Sequence, residues 1–256
     1  MEEDKRENID EFYDELKKEF AENFEELEYM RGDLTIVTRA KYYQLFGMIE
    51  LDIAKTKLKY YTEKRRLEYI LAAKIQREPI DFEKVNRLIE EELVEYYKNI
   101  AEIVAKNRNS RYVMDNLQYK KSEFTSLYKL LVKKLHPDVN SGAEKEKLWN
   151  QLQRAYKMDN YKAMQEIYSR IELEEDSEKA TEEKIVKLFH KIRSQFQEKA
   201  YLSNSFPLSC LQLLSTQELI DEKLKILEDE KNIYEMKIAF ILEQCSEIER
   251  DGQMVS

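Results

Sequence analysis

Glycine and proline are scarce in this sequence, which has 4 Gly and 3 Pro in 256 residues. A sheet needs tight turns, and tight turns depend on Gly, Pro, Asn and Asp at fixed positions. The scarcity therefore excludes a sheet of several strands and predicts an all-α fold. Charged residues make up 37% and hydrophobic residues 42% of the chain, a balance that suits long amphipathic helices.

Long apolar runs are absent as well, so no segment of the sequence is expected to span a membrane. The acidic segment Met1–Glu11 has no hydrophobic region and predicts no signal peptide. Cys210 and Cys245 are the only cysteines, which is typical of a reducing compartment, and we expect a cytoplasmic protein. The net charge of −9 argues against nucleic-acid binding, because such binding requires a basic face.

Motifs of enzyme sites are also lacking. No phosphate-binding loop, dinucleotide fingerprint or nucleophile elbow occurs in the sequence. His136 and His190 are the only histidines, and neither belongs to a cluster of residues with metal-ligand spacing. The sequence therefore predicts no enzyme, no cofactor and no metal site.

The sequence does contain a series of amphipathic patterns separated by short polar segments. The expected helices cover residues 9–30, 35–77, 82–106, 123–135, 143–173, 181–202 and 215–249. We expect breaks at Arg31-Gly32-Asp33 and at Asn107–Ser110, and an antiparallel hairpin around Pro79. Three consecutive regions follow from this order: an N-terminal helical region with the long hairpin, a central region and a C-terminal helical region. Their predicted bounds are 1–107, 108–173 and 174–256.

Two of these helices carry regular apolar stripes. The stripe of the first helix consists of Phe12, Leu16, Phe20, Phe24 and Leu27. The last helix repeats in steps of four and three through Ile220, Leu224, Leu227, Lys231, Tyr234, Ile238, Ile241, Cys245 and Ile248. This heptad seam predicts coiled-coil packing. Its partner is the 181–202 helix, the 35–77 helix or a second copy of the chain, which would give a homodimer through the 215–249 helix.

The most informative segment joins a basic helix to the tripeptide His136-Pro137-Asp138. Residues 119–134 hold five Lys and one Glu within an acidic chain. Pro137 ends this helix, and a second amphipathic helix follows after a short loop. The two helices should form an antiparallel hairpin that buries an apolar face of each. The expected faces are Leu127, Leu130, Leu131 and Leu135 on the first, and Leu148, Trp149, Leu152, Ala155 and Tyr156 on the second.

Residues 122–160 resemble the J domain of DnaJ-type co-chaperones in this tripeptide, in the basic helix before it and in the apolar positions after it. The resemblance implies docking on a DnaK-type chaperone and stimulation of its ATPase. The docking residues would be His136, Pro137, Asp138, Lys129, Lys133 and Lys134. The family's short first helix, its Gly/Phe-rich linker and its zinc module are absent here. We expect the helix at 82–106 to replace the missing first helix in packing.

Two functional hypotheses follow from these patterns. The first is an atypical J-domain co-chaperone or adaptor that docks on and stimulates a DnaK-type chaperone. The alternative is a helical scaffold with a degenerate J-like domain and no stimulating activity. Under the alternative, the lysines before the tripeptide are a solvated face, and the histidine is a loop residue without a role.

Overall fold

The computed structural model describes residues 2–115, 122–140, 142–171 and 180–253, and it confirms the all-α fold, with no β-strand in these ranges. None of the helices in them combines the length and the apolar character needed to cross a membrane. The α-helices are α1 (Glu2–Tyr29), α2 (Thr35–Gln76), α3 (Phe82–Glu92), α4 (Val94–Asp115), α5 (Ser122–Leu135), α6 (Ala143–Lys157), α7 (Tyr161–Ile171), α8 (Glu182–Ser203) and α9 (Gln217–Gln253).

The chain divides into two compact units, each built from segments that are distant in sequence. Unit 1 comprises residues 1–36 and 117–209, and unit 2 comprises residues 37–116 and 210–256. The three consecutive regions predicted above do not coincide with these units. The reason is that the long helices bury their stripes against helices far along the chain: α1 contacts α8 in unit 1, and α2 contacts α9 in unit 2.

In unit 2, α9 runs parallel to α2 and uses the predicted heptad seam to do so. Each position on α2 lies beside the position about 174 residues later on α9. Phe46 is therefore matched with Ile220, and Ile53 with Leu227. Lys57 Nζ is 2.6 Å from a carboxylate oxygen of Glu230, and the rings of Tyr60 and Tyr234 lie 5.5 Å apart. The shared buried cluster includes Phe46, Ile53, Ile220 and Leu227. Of the three partners considered for the seam, the structure therefore uses the 35–77 helix.

α3 and α4 pack on an adjacent face of α2 and run antiparallel to it, as the Pro79 hairpin predicts. Arg65 Nε donates to Glu92 Oε2 at 2.6 Å, and the rings of Tyr61 and Tyr96 lie 4.9 Å apart. Asp81 begins α3 because its Oδ1 accepts a hydrogen bond of 3.0 Å from the backbone N–H of Lys84.

Two expectations for α3 and α4 are wrong. The predicted single helix over 82–106 is divided at Leu93, which lies in a turn between α3 and α4. The predicted break at Asn107–Ser110 is absent, since α4 continues to Asp115. Asn107 is buried there and donates a hydrogen bond of 2.7 Å from Nδ2 to the carbonyl oxygen of Gly47. A polar residue thus faces the interior because an acceptor lies opposite it.

The expected break at Arg31-Gly32-Asp33 is also wrong. The chain stays helical from α1 into α2 through a π-helical turn at Met30–Leu34. The guanidinium of Arg31 donates hydrogen bonds of 2.8 Å both to Glu28 and, through Nε, to Glu198 of α8. Thr35 Oγ1 donates to the Met30 carbonyl oxygen at 2.5 Å. These bonds stabilise the turn, and Gly32 needs no cap conformation.

Unit 1 has an inner layer of α5, α6 and α7 and an outer pair formed by α1 and α8. The single helix predicted over 143–173 is divided at residues 158–160, where Asn160 Oδ1 accepts a 3.1 Å hydrogen bond from Ala163 N and begins α7. The side chains that are fully buried in the inner layer are Tyr128, Leu131, Val132, Leu135, Leu152 and Met164. α1 runs parallel to α8 and also contacts α5.

Candidate docking loop

The loop between α5 and α6 is held by its own backbone. Three hydrogen bonds of 2.9 Å close it, from His136 N to the Val132 carbonyl and from Val139 N and Asn140 N to the His136 carbonyl. Gly142, just before α6, has a φ of +141°, which a residue with a side chain adopts only with strain. The expected helix–loop–helix hairpin therefore forms, and these bonds fix residues 136–140 of its loop.

The buried face of α6 agrees with the sequence, but that of α5 differs. Leu148, Leu152, Ala155 and Tyr156 are buried as expected, with Trp149 half-buried against them. On α5 the buried residues are Phe124, Tyr128, Leu131, Val132 and Leu135, and Leu127 is half-buried against them. Leu130, which was expected in the core, is exposed because it lies outside this face.

Two tyrosines join α5 to α6 in the core of the hairpin. The rings of Tyr128 and Tyr156 are stacked, with centroids 3.8 Å apart. The hydroxyl of Tyr128 accepts a 2.8 Å hydrogen bond from Gln153 Nε2. Burial raises the pKa of both phenols, so each remains protonated at neutral pH. The contact fixes the register of the two helices.

His136 is buried under the outer helices, with 9% of its surface exposed. Its ring makes edge contacts with the rings of Phe20 and Phe24 of α1, both at 4.7 Å, and with that of Trp149 of α6 at 4.6 Å. Three aromatic side chains from two helices therefore enclose the imidazole. The first residue of the tripeptide lies in an internal aromatic box and does not face solvent.

The imidazole of His136 is neutral at physiological pH. Its Nδ1 accepts a 3.1 Å hydrogen bond from the backbone N–H of Asp138, which leaves the ring proton on Nε2. The pKa of His136 is lowered to about 4, chiefly by burial; the Asp138 carboxylate opposes the shift and Lys191 adds to it. The 3.9 Å separation between Nδ1 and the Asp138 carboxylate is therefore not an ion pair at neutral pH.

The rest of the loop is tied to the same two outer helices. The carboxylate of Asp138 lies 3.2 Å from Nζ of Lys191 on α8. The hydroxyl of Tyr13 on α1 donates to the carbonyl oxygen of Val139 at 3.4 Å. Pro137, between the enclosed His136 and the ion-paired Asp138, is exposed. The outer helices thus hold both sides of the loop and leave its apex open.

The predicted basic residues are only partly gathered at the loop. Lys133 and Lys134 lie in the last turn of α5, next to the tripeptide, and are half-buried. The carbonyl of Lys133 accepts a 2.9 Å hydrogen bond from Asn140 Nδ2 across the loop. Lys129 lies one turn earlier, and its Nζ is 3.2 Å from Glu25 of α1.

Sequence reasoning missed the residues that cover the loop, chiefly Phe20, Phe24 and Lys191. Phe20 and Phe24 do belong to the stripe predicted on the first helix, but no pattern indicated which helix that stripe would meet. The stripe was also misplaced at its start, since Phe12 is exposed and Tyr13 is buried. The expectation that the 82–106 helix packs on the hairpin is wrong, because α3 and α4 belong to unit 2. In unit 1 it is α1 that contacts α5.

No three His, Cys, Asp or Glu side chains within the described ranges come together in a way that could hold a metal ion.

Comparison of the chain with models of protein families, with curated proteins and with solved structures gave no match.

Proposed function

We propose that the chain is a cytoplasmic J-domain-type adaptor that docks on a DnaK-type chaperone and stimulates its ATPase. The supporting observation is the order of groups at the end of the hairpin. Two lysines in the last turn of α5 lead directly to the exposed Pro137, and the carboxylate of Asp138 follows. A basic patch in an acidic chain steers association towards an acidic partner surface.

The described arrangement is the closed form of this adaptor. The His136 ring is enclosed by α1, and Asp138 is paired with α8, so neither group is free to contact a partner. Full docking therefore requires α1 and α8 to move away from the loop. A chaperone that binds only the open form shifts the population towards it, at the expense of part of its own binding energy.

A charge-reversal experiment tests docking without disturbing the buried histidine. The double variant Lys133→Glu, Lys134→Glu changes the basic end of α5. The control, Lys157→Glu with Lys162→Glu, makes the same charge change on exposed residues at the end of α6 and the start of α7. The steady-state ATPase rate of the cognate DnaK-type chaperone is measured with each protein in excess. We expect the wild type and the control to raise the rate, and the first variant to have lost the effect.

A second arm tests the closed form. Lys191→Glu removes the partner of Asp138 and places a like charge beside it, which should favour the open loop and give more stimulation than the wild type. Equal loss of stimulation in both charge-reversal variants would mean that net charge, and not the loop, determines the effect. No stimulation by the wild type or by Lys191→Glu would overturn the docking proposal.

The second candidate is the scaffold without chaperone stimulation. The observation that favours it is that His136 packs against α1 and Asp138 pairs with α8. The tripeptide would then serve to hold these helices together. A folded Lys191→Glu variant that leaves the ATPase rate unchanged would favour this candidate.

A further inference from the structure

A cleft in unit 2 is enclosed by three helices, α2, α4 and α9. Its volume is about 340 Å³, at the lower end of the range of roughly 300–1,000 Å³ for small-molecule sites. Its floor is apolar and buried, and includes Ile53 and Ala54 of α2 and Leu227 of α9. Small-molecule sites often lie between the helices of a bundle, where a few polar groups surround an apolar floor. The cleft has this form.

Four charged side chains from the three helices line the cleft. The lysines are Lys57 of α2 and Lys106 of α4, and the carboxylates are Glu50 of α2 and Glu230 of α9. The lining therefore contains two charges of each sign. A ligand with charge of one sign only would meet two like charges, whereas a zwitterion can pair with both kinds of group.

Two of these groups are already paired with each other. Nζ of Lys57 lies 2.6 Å from Oε1 of Glu230, and this ion pair joins α2 to α9 along one wall of the cleft. The pair has a structural role, because it links the two helices whose apolar seams meet beside it. The remaining carboxylate and the remaining ammonium group are the ones available to a ligand.

Glu50 and Lys106 do not join helices, although they line the same cleft from two of them. Oε1 of Glu50 accepts a 2.5 Å hydrogen bond from the Tyr42 hydroxyl on α2, and Nζ of Lys106 donates one of 3.2 Å to Glu102 on α4. Within the described part of the chain, these two groups have no other hydrogen-bond or ion-pair partner. A carboxylate accepts several hydrogen bonds and an ammonium group donates three, so both can bind a further group.

The phenol of Tyr43 shows that these two groups lie at the same end of the cleft. Burial raises the pKa of Tyr43, the charge of Lys106 opposes the shift, and that of Glu50 adds to it. Both charges therefore act on one side chain, which lines the cleft as well. Lys57 lies seven residues after Glu50, about 10 Å further along α2 at the rise of an α-helix. The apolar floor fills the distance between the two ends.

We propose that this cleft binds a free amino acid with an apolar side chain. The ammonium group of the ligand pairs with Glu50 and its carboxylate with Lys106, while its side chain covers the floor at Ile53 and Ala54. This inference does not rest on the docking function proposed for the loop, because the cleft belongs to unit 2 and the loop to unit 1.

Isothermal titration calorimetry of the full chain with L-leucine tests the proposal. Glu50→Gln and Lys106→Gln each remove one charge from the cleft. The control, Lys98→Gln, removes a charge from an exposed lysine of α4 that lies outside the cleft and, like Lys106, pairs with a glutamate of its own helix. We expect saturable binding by the wild type and the control, and a dissociation constant at least about tenfold higher for each cleft variant. Circular dichroism checks that each variant keeps its helices.

Two analogues of leucine test the need for both charges. Isocaproate lacks the ammonium group and isopentylamine lacks the carboxylate, so each should bind at least about tenfold more weakly than leucine. No saturable binding of leucine to the wild type would overturn the proposal. So would binding that both cleft variants leave unchanged, or an analogue that binds as tightly as leucine. The loop variant Lys133→Glu, Lys134→Glu should bind leucine as the wild type does, which separates this test from that of the docking function.

Discussion

Asn107 and Gly47 meet at the closest approach of α4 to α2. The side-chain amide of Asn107 donates a 2.7 Å hydrogen bond to the Gly47 carbonyl, and a Cβ on Gly47 would lie 1.9 Å from Asn107 Oδ1. Only glycine leaves room for this contact. Gly47, a poor helix former in the interior of α2, is therefore the place where a second helix is fixed.

Gly47→Ala should destabilise unit 2 by about 2 kcal/mol, because the Asn107 side chain must leave its site and lose its hydrogen bond. Gly32→Ala is the matched control, since a Cβ there meets nothing within 4 Å. The control should be neutral or stabilising by up to about 1 kcal/mol. Urea unfolding followed by circular dichroism compares the two, and equal midpoints would contradict the close contact.

Adjacent leucines of α5 provide a second matched pair. Leu131 is fully buried and Leu130 is exposed. Leu131→Ala should lower the free energy of unfolding by about 2–5 kcal/mol, because it leaves a cavity in the core of unit 1. Leu130→Ala should change it by less than about 1 kcal/mol. Equal losses from the two variants in thermal or urea unfolding would contradict this difference in burial and support the face expected from the sequence, which includes both leucines.

The buried histidine makes stability depend on pH. The pKa of His136 is about 4 in the folded chain against 6.5 for the free side chain, so the unfolded chain binds the proton more readily. The stabilisation from the neutral imidazole is complete above pH 6.5 and is lost as the pH falls from 6.5 towards 4. The loss is at most about 3 kcal/mol. Unfolding free energies at pH 7.5 and 5.0 measure it.

His136→Gln is the reference for that experiment, since it has no group that titrates in this window at the same position. The drop in stability between the two pH values should be smaller in the variant than in the wild type. An NMR titration in which the His136 ring protonates near pH 6.5 in the folded protein would contradict its burial.

The ion pair between Lys191 and Asp138 ties the loop to α8. Both side chains are partly exposed, so the pair contributes only about 0.5–1 kcal/mol. Lys191→Ala should therefore speed hydrogen exchange at the Asp138 amide, which donates to His136 Nδ1, by roughly two- to fivefold. Lys187→Ala, one turn earlier on α8 and exposed, should leave that exchange rate unchanged.

Local patterns in the sequence predicted most of the helices and the hairpins of neighbouring helices, but not which distant helices cover the loop. The stop at Pro137, the start of α6 and the buried face of α6 follow from residues within one or two turns, and the structure has all three. The burial of His136 depends on Phe20 and Phe24, which lie more than 110 positions away, and no periodicity indicates such a meeting. Asn107 was placed in a break because polar residues favour loops, whereas its acceptor lies 60 positions upstream.

The parallel pairing of α2 with α9 has a consequence for synthesis of the chain. The ribosome synthesises the buried face of α2 about 174 residues before the α9 residues that cover it, since Ile220 is matched with Phe46. At translation rates of about 5–20 residues per second, that interval is roughly 10–35 s. During this time α3 and α4 can already fold back on α2, but the α9 side of α2 stays uncovered. α9 thus covers a helix of unit 2 that was synthesised long before it, and a ribosome that stalls between the two leaves a nascent chain with the apolar face of α2 exposed.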